Sequence, residues 1–165
     1  MSDENQISDV LRCYFFGISF GKKDDEKAKG LSGFAIPDLG VLYKDSCRGT
    51  LYECQYKGIL TLLRFLESNR KSLREFDIEI HSDAAVVVYQ LRHQKTVSGG
   101  LKRFFNAVNA HKSNMSFKVS WVPSKENPAL SGTLETPPLK SDIEIRFDDK
   151  KSANIERLGK GHLRL

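Results

Sequence analysis

The sequence predicts an α/β domain in which three antiparallel strands precede an alternation of helices and strands. Three short runs of aromatic and β-branched residues, separated by turn residues, come first. A long segment with helical periodicity follows, and two further strand patterns then alternate with helical ones. Because helical crossovers connect parallel strands, this order predicts a five-stranded mixed sheet whose first three strands are antiparallel.

The first three strands are predicted before residue 50. The run CYFFGISFG (residues 13–21) is rich in aromatic and β-branched residues and ends in glycine. The charged turn KKDDEKAKG separates it from LSGFAIPD and GVLYKDSC, two shorter runs with turn residues between them. Closely spaced runs of this kind are typical of an antiparallel meander.

From residue 50 the apolar positions change to helical spacing, and the resulting helix has one apolar side. That side is expected to pack on the sheet and comprises Ile59, Leu62, Leu63 and Leu66, with Gln55 one turn earlier. Polar residues fill the other faces, and the stretch SNRKS ends the helix.

The second half of the domain is predicted to alternate strands and helices. FDIEIHSD is the fourth strand, AAVVVYQLRHQ and SGGLKRFFNAVNAHK are two helices, and FKVSWVPS is the fifth strand. Trp121, on that last strand, is expected in the core. A final helix in KENPALSGTLE would be short or irregular because of Pro128 and Gly132.

The chain of 165 residues is long enough for one domain with a hydrophobic core. We place an N-terminal extension at residues 1–11, the domain at residues 12–136 and a C-terminal tail at residues 137–165. The tail becomes polar after Pro137 and Pro138 and contains one strand-like patch, IEIRF.

Composition and charge exclude several classes of protein. The chain is 39% apolar and 28% charged, which is typical of soluble globular proteins. Its start, MSDENQISDV, lacks the features of a signal or transit peptide, and no apolar run approaches the roughly 20 residues that span a bilayer. The net charge of +5 is compatible with an anionic partner such as nucleic acid, or with solubility alone.

The cysteines favour an intracellular protein. Cys13, Cys47 and Cys54 are odd in number and lack CxxC spacing, which argues against a disulfide framework and against a zinc site. We expect reduced thiols, most of them packed, in an intracellular protein with no membrane partner.

Three local motifs within residues 13–134 resemble the type 1 ribonuclease H family. HSDAAVVVYQL resembles its strand-to-helix stretch, TLYECQYKGILTLLRFL its first helix and VPSKENPALSGTLE its last segment. The resemblance implies a ribonuclease H-like sheet with helices on both faces. Active members of the family hydrolyse the RNA strand of an RNA–DNA hybrid with two divalent metal ions held by four carboxylates.

The resemblance places the four carboxylate positions of the family on Phe16, Gln55, Asp83 and Ser131, of which one is acidic. A single carboxylate is too little charge to offset the repulsion between two divalent ions about 4 Å apart. We therefore expect a degenerate active site, no resident cofactor and no metal ion, with Asp83 the ligand if any binds. Asp83 has a simpler role as cap of the helix that begins at Ala84.

Three other carboxylates are alternatives as metal ligands, namely Asp45, Glu53 and Glu126. Glu53 lies two positions before Gln55, about 200° around the helix, and is expected to face away from the site. If these residues completed a site, the chain would be a divergent ribonuclease that cleaves RNA–DNA hybrids with Mg²⁺ or Mn²⁺.

Basic residues flank the connection between the two later helices, where the family often carries residues that contact the hybrid. They are Arg92, Lys95, Lys102 and Arg103, and Thr50 matches a family residue near phosphate. These residues favour a non-catalytic module that binds nucleic acid duplexes, or a nucleic-acid-associated complex, through backbone contacts. Two alternatives stay open: the basic residues form a solvated helix face, or the chain is a protein-interaction scaffold that uses its C-terminal tail.

Overall fold

The computed structural model describes residues 9–95, 97, 99–133, 143–148 and 151–155. Its strands are β1 (Asp9–Ser19), β2 (Lys29–Ile36), β3 (Val41–Arg48), β4 (Phe76–Ser82), β5 (Phe117–Trp121), β6 (Ile143–Asp148) and β7 (Lys151–Ile155). Its α-helices are α1 (Leu51–Ser68), α2 (Arg70–Leu73), α3 (Ala85–His93) and α4 (Lys102–Lys112). No helix in this part of the chain is long and apolar enough to cross a membrane.

The sheet has the strand order β5-β4-β1-β2-β3-β6-β7. Strands β1, β2 and β3 pair antiparallel, β4 pairs parallel with β1, and β5 pairs parallel with β4. The five-stranded mixed sheet predicted from the sequence is therefore confirmed. Strand β1 starts at Asp9, within the predicted extension, because its parallel pairing with β4 begins at the partners Asp9 and Phe76.

Two strands from the predicted C-terminal tail extend this sheet. Strand β6 contains the patch IEIRF and pairs parallel with β3 at residues 41–43, and β7 pairs antiparallel with β6. The sheet of the described residues therefore has seven strands. The remainder of the predicted tail and residues 1–8 of the N-terminal extension lie outside the described residues.

The apolar side of α1 packs on the sheet as predicted. Its residues Ile59, Leu62, Leu63 and Leu66 are fully buried in the main core, together with alternate residues of the central strand β1. Helices α3 and α4 contribute to the same core. The prediction for Trp121 is wrong: its side chain is 52% exposed, because it ends an edge strand of the sheet.

Helix α1 approaches the backbone of β1 closely at two glycines. A Cβ atom added at Gly17 would lie 2.2 Å from the backbone nitrogen of Gln55. A Cβ atom added at Gly58 would lie 2.3 Å from the carbonyl oxygen of Phe16. Any larger residue at either position would separate the two elements.

The opposite face of the sheet is covered by short 3-10 turns in the loop after β5, which we call the 122–133 loop. Its turns are Ser124–Glu126 and Pro128–Leu130. Ala129 and Leu130 pack against Phe16 and Ala35 in a second apolar cluster. The segment contains only short helical turns, as expected from Pro128 and Gly132. Gly132 has a φ of +71°, a backbone conformation that favours glycine.

Candidate functional site

Asp83 lies just past the end of β4 and accepts two hydrogen bonds from the 122–133 loop. The Oγ atom of Ser124 donates to Oδ2 over 3.0 Å, and Nδ2 of Asn127 donates to Oδ1 over 2.7 Å. The predicted helix cap is wrong, since α3 has no side-chain cap at Ala84. The amide of Ala84 instead donates to Oγ of Ser82 over 3.2 Å. The Asp83 carboxylate therefore holds the loop against the β4–α3 turn.

Asn127 connects the Asp83 carboxylate to buried backbone groups in the protein interior. Its side chain is 1% exposed, and Nδ2 also donates to the carbonyl oxygen of Phe15 over 2.9 Å. Its Oδ1 accepts from the amide of Ala129 over 3.1 Å. The Phe15 carbonyl accepts a second bond from Oγ of Ser82 over 2.7 Å. This network joins β1, β4 and the 122–133 loop, and Asp83 is its one charged member.

Phe16 occupies the central-strand position of the resemblance, and its side chain is 1% exposed. It packs against Ala35, Ala129 and Leu130 on the face of the sheet opposite α1. This position of β1 is therefore apolar and lies in a closed hydrophobic environment.

Gln55 stands on the second turn of α1, where the helix meets β1. Its side chain is buried, and its Oε1 atom accepts no hydrogen bond from any described residue. A buried acceptor without a donor is uncommon and is costly to leave unpaired. The amide oxygen is neutral, so it adds no negative charge to the site.

Ser131 is buried near the end of the 122–133 loop, beside a lysine ammonium group. Nζ of Lys44, on β3, donates to the carbonyl oxygen of Ser131 and, over 2.8 Å, to Oγ1 of Thr133. No local pattern predicts this contact, because 87 residues separate Lys44 from Ser131.

The four positions of the resemblance converge on residues 15–17 of β1. Gln55 touches Gly17 through its backbone, and Asp83 connects to the Phe15 carbonyl through Asn127. Ser131 follows directly on Leu130, which belongs to the apolar cluster around Phe16. Each position is thus linked to this segment of β1, with the Phe16 ring on the face of the sheet opposite the helix that carries Gln55.

The alternative carboxylates do not complete a metal site among the described residues. Asp45 accepts from the Tyr43 hydroxyl over 3.2 Å and lines a cavity between β3 and α1, away from Asp83. Glu126 is exposed to solvent. Within the described part of the chain, no three His, Cys, Asp or Glu residues are arranged to hold a metal ion.

The third alternative, Glu53, joins two of the predicted nucleic-acid-binding residues. Thr50 is the N-cap of α1 and forms a reciprocal capping box with Glu53, each bond being 3.3 Å long. Nη2 of Arg103 lies 3.9 Å from Oε2 of Glu53, and its guanidinium lies 4.7 Å from the centre of the Phe104 ring. The Arg103 side chain is still 75% exposed, so it is accessible beside the N-terminus of α1.

The other predicted basic residues, Arg92, Lys95 and Lys102, are exposed at the C-terminus of α3 and the start of α4. None of the three forms a salt bridge with a described residue. Two further exposed lysines, Lys22 and Lys23, were not among the predicted nucleic-acid-binding residues, because they lie in a turn whose charges predict only exposure to solvent. They line a cavity of about 420 Å³ that also includes Thr50.

Solved structures share this arrangement of strands and helices. LC11-RNase H1, isolated from compost by a metagenomic approach, is 16% identical, with a TM-score of 0.57 over 72% of this chain and 88% of that chain. The chain has the ribonuclease H fold. RNase H1 from the halophilic archaeon Halobacterium salinarum is 18% identical to this ribonuclease H-like chain, with a TM-score of 0.52 over 70% of this chain and 86% of the other.

A structure of LC11-RNase H1 in complex with an RNA/DNA hybrid matches as well, with 16% identity and a TM-score of 0.56 over 71% of this chain and 88% of that one. No protein-family model and no curated protein matches the sequence of this ribonuclease H-like domain.

The Asp83 network predicts a measurable loss of stability when the carboxylate is removed. We expect Asp83→Ala to lower the free energy of unfolding by about 1–3 kcal/mol, because it leaves the buried Asn127 amide with one acceptor fewer. Asp83→Asn should cost less, because its amide oxygen still accepts one bond. Urea denaturation measures both, with Glu126→Ala as a matched control that removes an exposed carboxylate of the same loop. Equal stabilities of Asp83→Ala and Glu126→Ala would contradict this role of Asp83.

Proposed function

We propose that this ribonuclease H-like chain is a non-catalytic module that binds nucleic acid duplexes, the RNA–DNA hybrid among them, or a nucleic-acid-associated complex. The observation that carries the proposal is Phe16, a buried phenyl ring at the central-strand position where the family places a carboxylate. The fold itself supports nucleic acid as the partner, since LC11-RNase H1 has been crystallised with an RNA/DNA hybrid.

The residues at the four positions do not fit a site for two divalent cations. Hard cations such as Mg²⁺ require several oxygen ligands, most of them carboxylates when two ions are close together. The one carboxylate, Asp83, already accepts two hydrogen bonds from the 122–133 loop. Gln55 offers a neutral oxygen, and an ammonium group lies beside Ser131. We therefore assign no step of hydrolysis to this site.

Two features of the chain support a binding role: the hydrogen-bonded 122–133 loop and the exposed basic side chains. A buried hydrogen-bond network that includes a charged group makes a local structure rigid when its members are satisfied. Here the hydrogen bonds of Asp83 and Asn127 hold the 122–133 loop against β1 and the β4–α3 turn. Arg92, Lys95, Lys102 and Arg103 are exposed to solvent, and contacts from them to phosphates would give affinity that depends on salt and not on base sequence.

The proposal predicts no metal-dependent cleavage of an RNA–DNA hybrid above a protein-free blank. The measurement is a denaturing-gel assay of labelled hybrid, double-stranded RNA and single strands, with Mg²⁺, with Mn²⁺ and without metal. Asp83→Asn is the matched variant and should give the same result as the wild type. Cleavage by the wild type that Asp83→Asn abolishes would establish the alternative, a divergent hybrid ribonuclease.

The proposal also predicts that charge reversal at Lys102 and Arg103 weakens binding to all duplex sequences alike. Each lost phosphate contact removes about one unit from the slope of log affinity against log salt, so the double variant should lose about two units. Affinity is measured by fluorescence anisotropy over a series of salt concentrations, with the fold of each variant checked by thermal melting.

Charge reversal at Arg70 and Lys71 is the matched control for that experiment. Both residues are exposed, and they lie at the opposite end of α1 from Thr50. The control makes the same change in net charge, so a general electrostatic effect would lower both affinities equally. A wild type without salt-sensitive affinity for any nucleic acid would refute the binding proposal and favour the protein-interaction scaffold.

A further inference from the structure

Cys47 and Cys54 hold their sulfur atoms 3.0 Å apart at the junction of β3 and α1. Cys47 is the penultimate residue of β3, and Cys54 is in the first turn of α1. The two sulfurs lie over Gly30, where an added Cβ atom would be 2.8 Å from Sγ of Cys54 and 3.3 Å from Sγ of Cys47. The missing side chain of Gly30 therefore makes the space in which the two thiols meet.

The surroundings of the pair make the two thiols chemically different. Cys47 is half-buried and lines a cavity of about 570 Å³ between β3 and α1, through which a small reagent can reach its sulfur. A hydrogen bond from Cys54, another from Ser32 and the charge of Lys57 lower the pKa of Cys47. The hydrogen bond to Cys47 and burial raise the pKa of Cys54. Cys47 is thus the nucleophile of the pair.

We propose that Cys47 and Cys54 form a reversible disulfide when the protein meets a peroxide. A disulfide bond is about 2 Å long, so the sulfur atoms need to approach by only about 1 Å from their observed separation. The inference goes beyond the proposed function and does not depend on it. The bond would fasten the first turn of α1, next to Thr50, to the end of β3.

The reaction is balanced with hydrogen peroxide as the oxidant. The Cys47 thiolate attacks one peroxide oxygen, the O–O bond breaks, hydroxide leaves, and Cys47 becomes a sulfenic acid. The sulfur of Cys54 then attacks the Cys47 sulfur, the S–O bond breaks, and the thiol proton of Cys54 leaves with the hydroxyl group as water. Two thiols are oxidised to one disulfide, and one peroxide is reduced to two molecules of water once hydroxide takes up a proton.

The third cysteine serves as an internal control. Cys13 is fully buried in the main core, and burial raises the pKa of its thiol. Buried thiols with a raised pKa are inert toward peroxides. Cysteine spacing does not predict the pair of Cys47 and Cys54, because the strand-to-helix turn brings together cysteines that lack a CxxC spacing.

The test treats the reduced full-length chain with hydrogen peroxide and counts free thiols after denaturation. We expect the count to fall from three to one, the intact mass to fall by two hydrogen atoms, and dithiothreitol to restore both. Trypsin cleaves after Lys44, Arg48 and Lys57, so the disulfide should link peptide 45–48 to peptide 49–57. Cys13→Ser should still lose two thiols, and Cys54→Ser should leave a sulfenic acid at Cys47 that dimedone traps.

Peptide mapping of the wild type decides the outcome even if a variant fails to fold. Three free thiols after peroxide treatment would overturn the proposal. A gain of oxygen atoms at Cys47 without the linked peptides, or a disulfide that contains Cys13, would overturn it as well.

Discussion

Helix α1 lies directly on strand β1 because Gly17 and Gly58 place no side chain between the two backbones. This contact sets Gln55 beside Gly17 and leaves Phe15 and Phe16 on opposite faces of the strand. The carbonyl oxygen of Phe15 accepts hydrogen bonds from Ser82 and Asn127. The ring of Phe16 packs against the 122–133 loop. The candidate site residues therefore lie around the segment of β1 that α1 contacts.

The described residues around β1 concentrate little negative charge. Four carboxylates in one place would require cations to offset their repulsion. Here an apolar ring, a neutral amide and a serine stand at three of the positions, and the one carboxylate, Asp83, has two hydrogen-bond donors. Hydrogen bonds to Asp83 and Phe15 and apolar packing on Phe16 hold the 122–133 loop in place.

Sequence periodicity was enough to predict the five strands, their directions and the buried side of α1, because each element carries its own pattern of burial. The irregular final segment was also predicted, since Pro128 acts locally on the backbone. Trp121 was placed wrongly because alternation tells which residues share a face and not whether a neighbour covers them. Pairing of β6 with β3 depends on the availability of a sheet edge, which a local pattern cannot reveal.

The motifs indicated which residues stand at the four positions of the resemblance but not what those residues contact. The partners of Asp83 could not be predicted, because Ser124 and Asn127 lie more than 40 residues away along the chain. Lys44 and the pair of Cys47 and Cys54 were missed for the same reason: their contacts arise from the packing of elements and follow no spacing in the sequence.

The proposal that Asp83 belongs to no two-metal site is tested most directly by locating metal ions in crystals of the protein with an RNA–DNA hybrid and Mn²⁺. Anomalous scattering identifies manganese independently of any model of the site. The absence of any manganese peak within coordination distance of Asp83 is the result that we expect. Two peaks about 4 Å apart beside Asp83, the spacing of a two-metal centre, would contradict it.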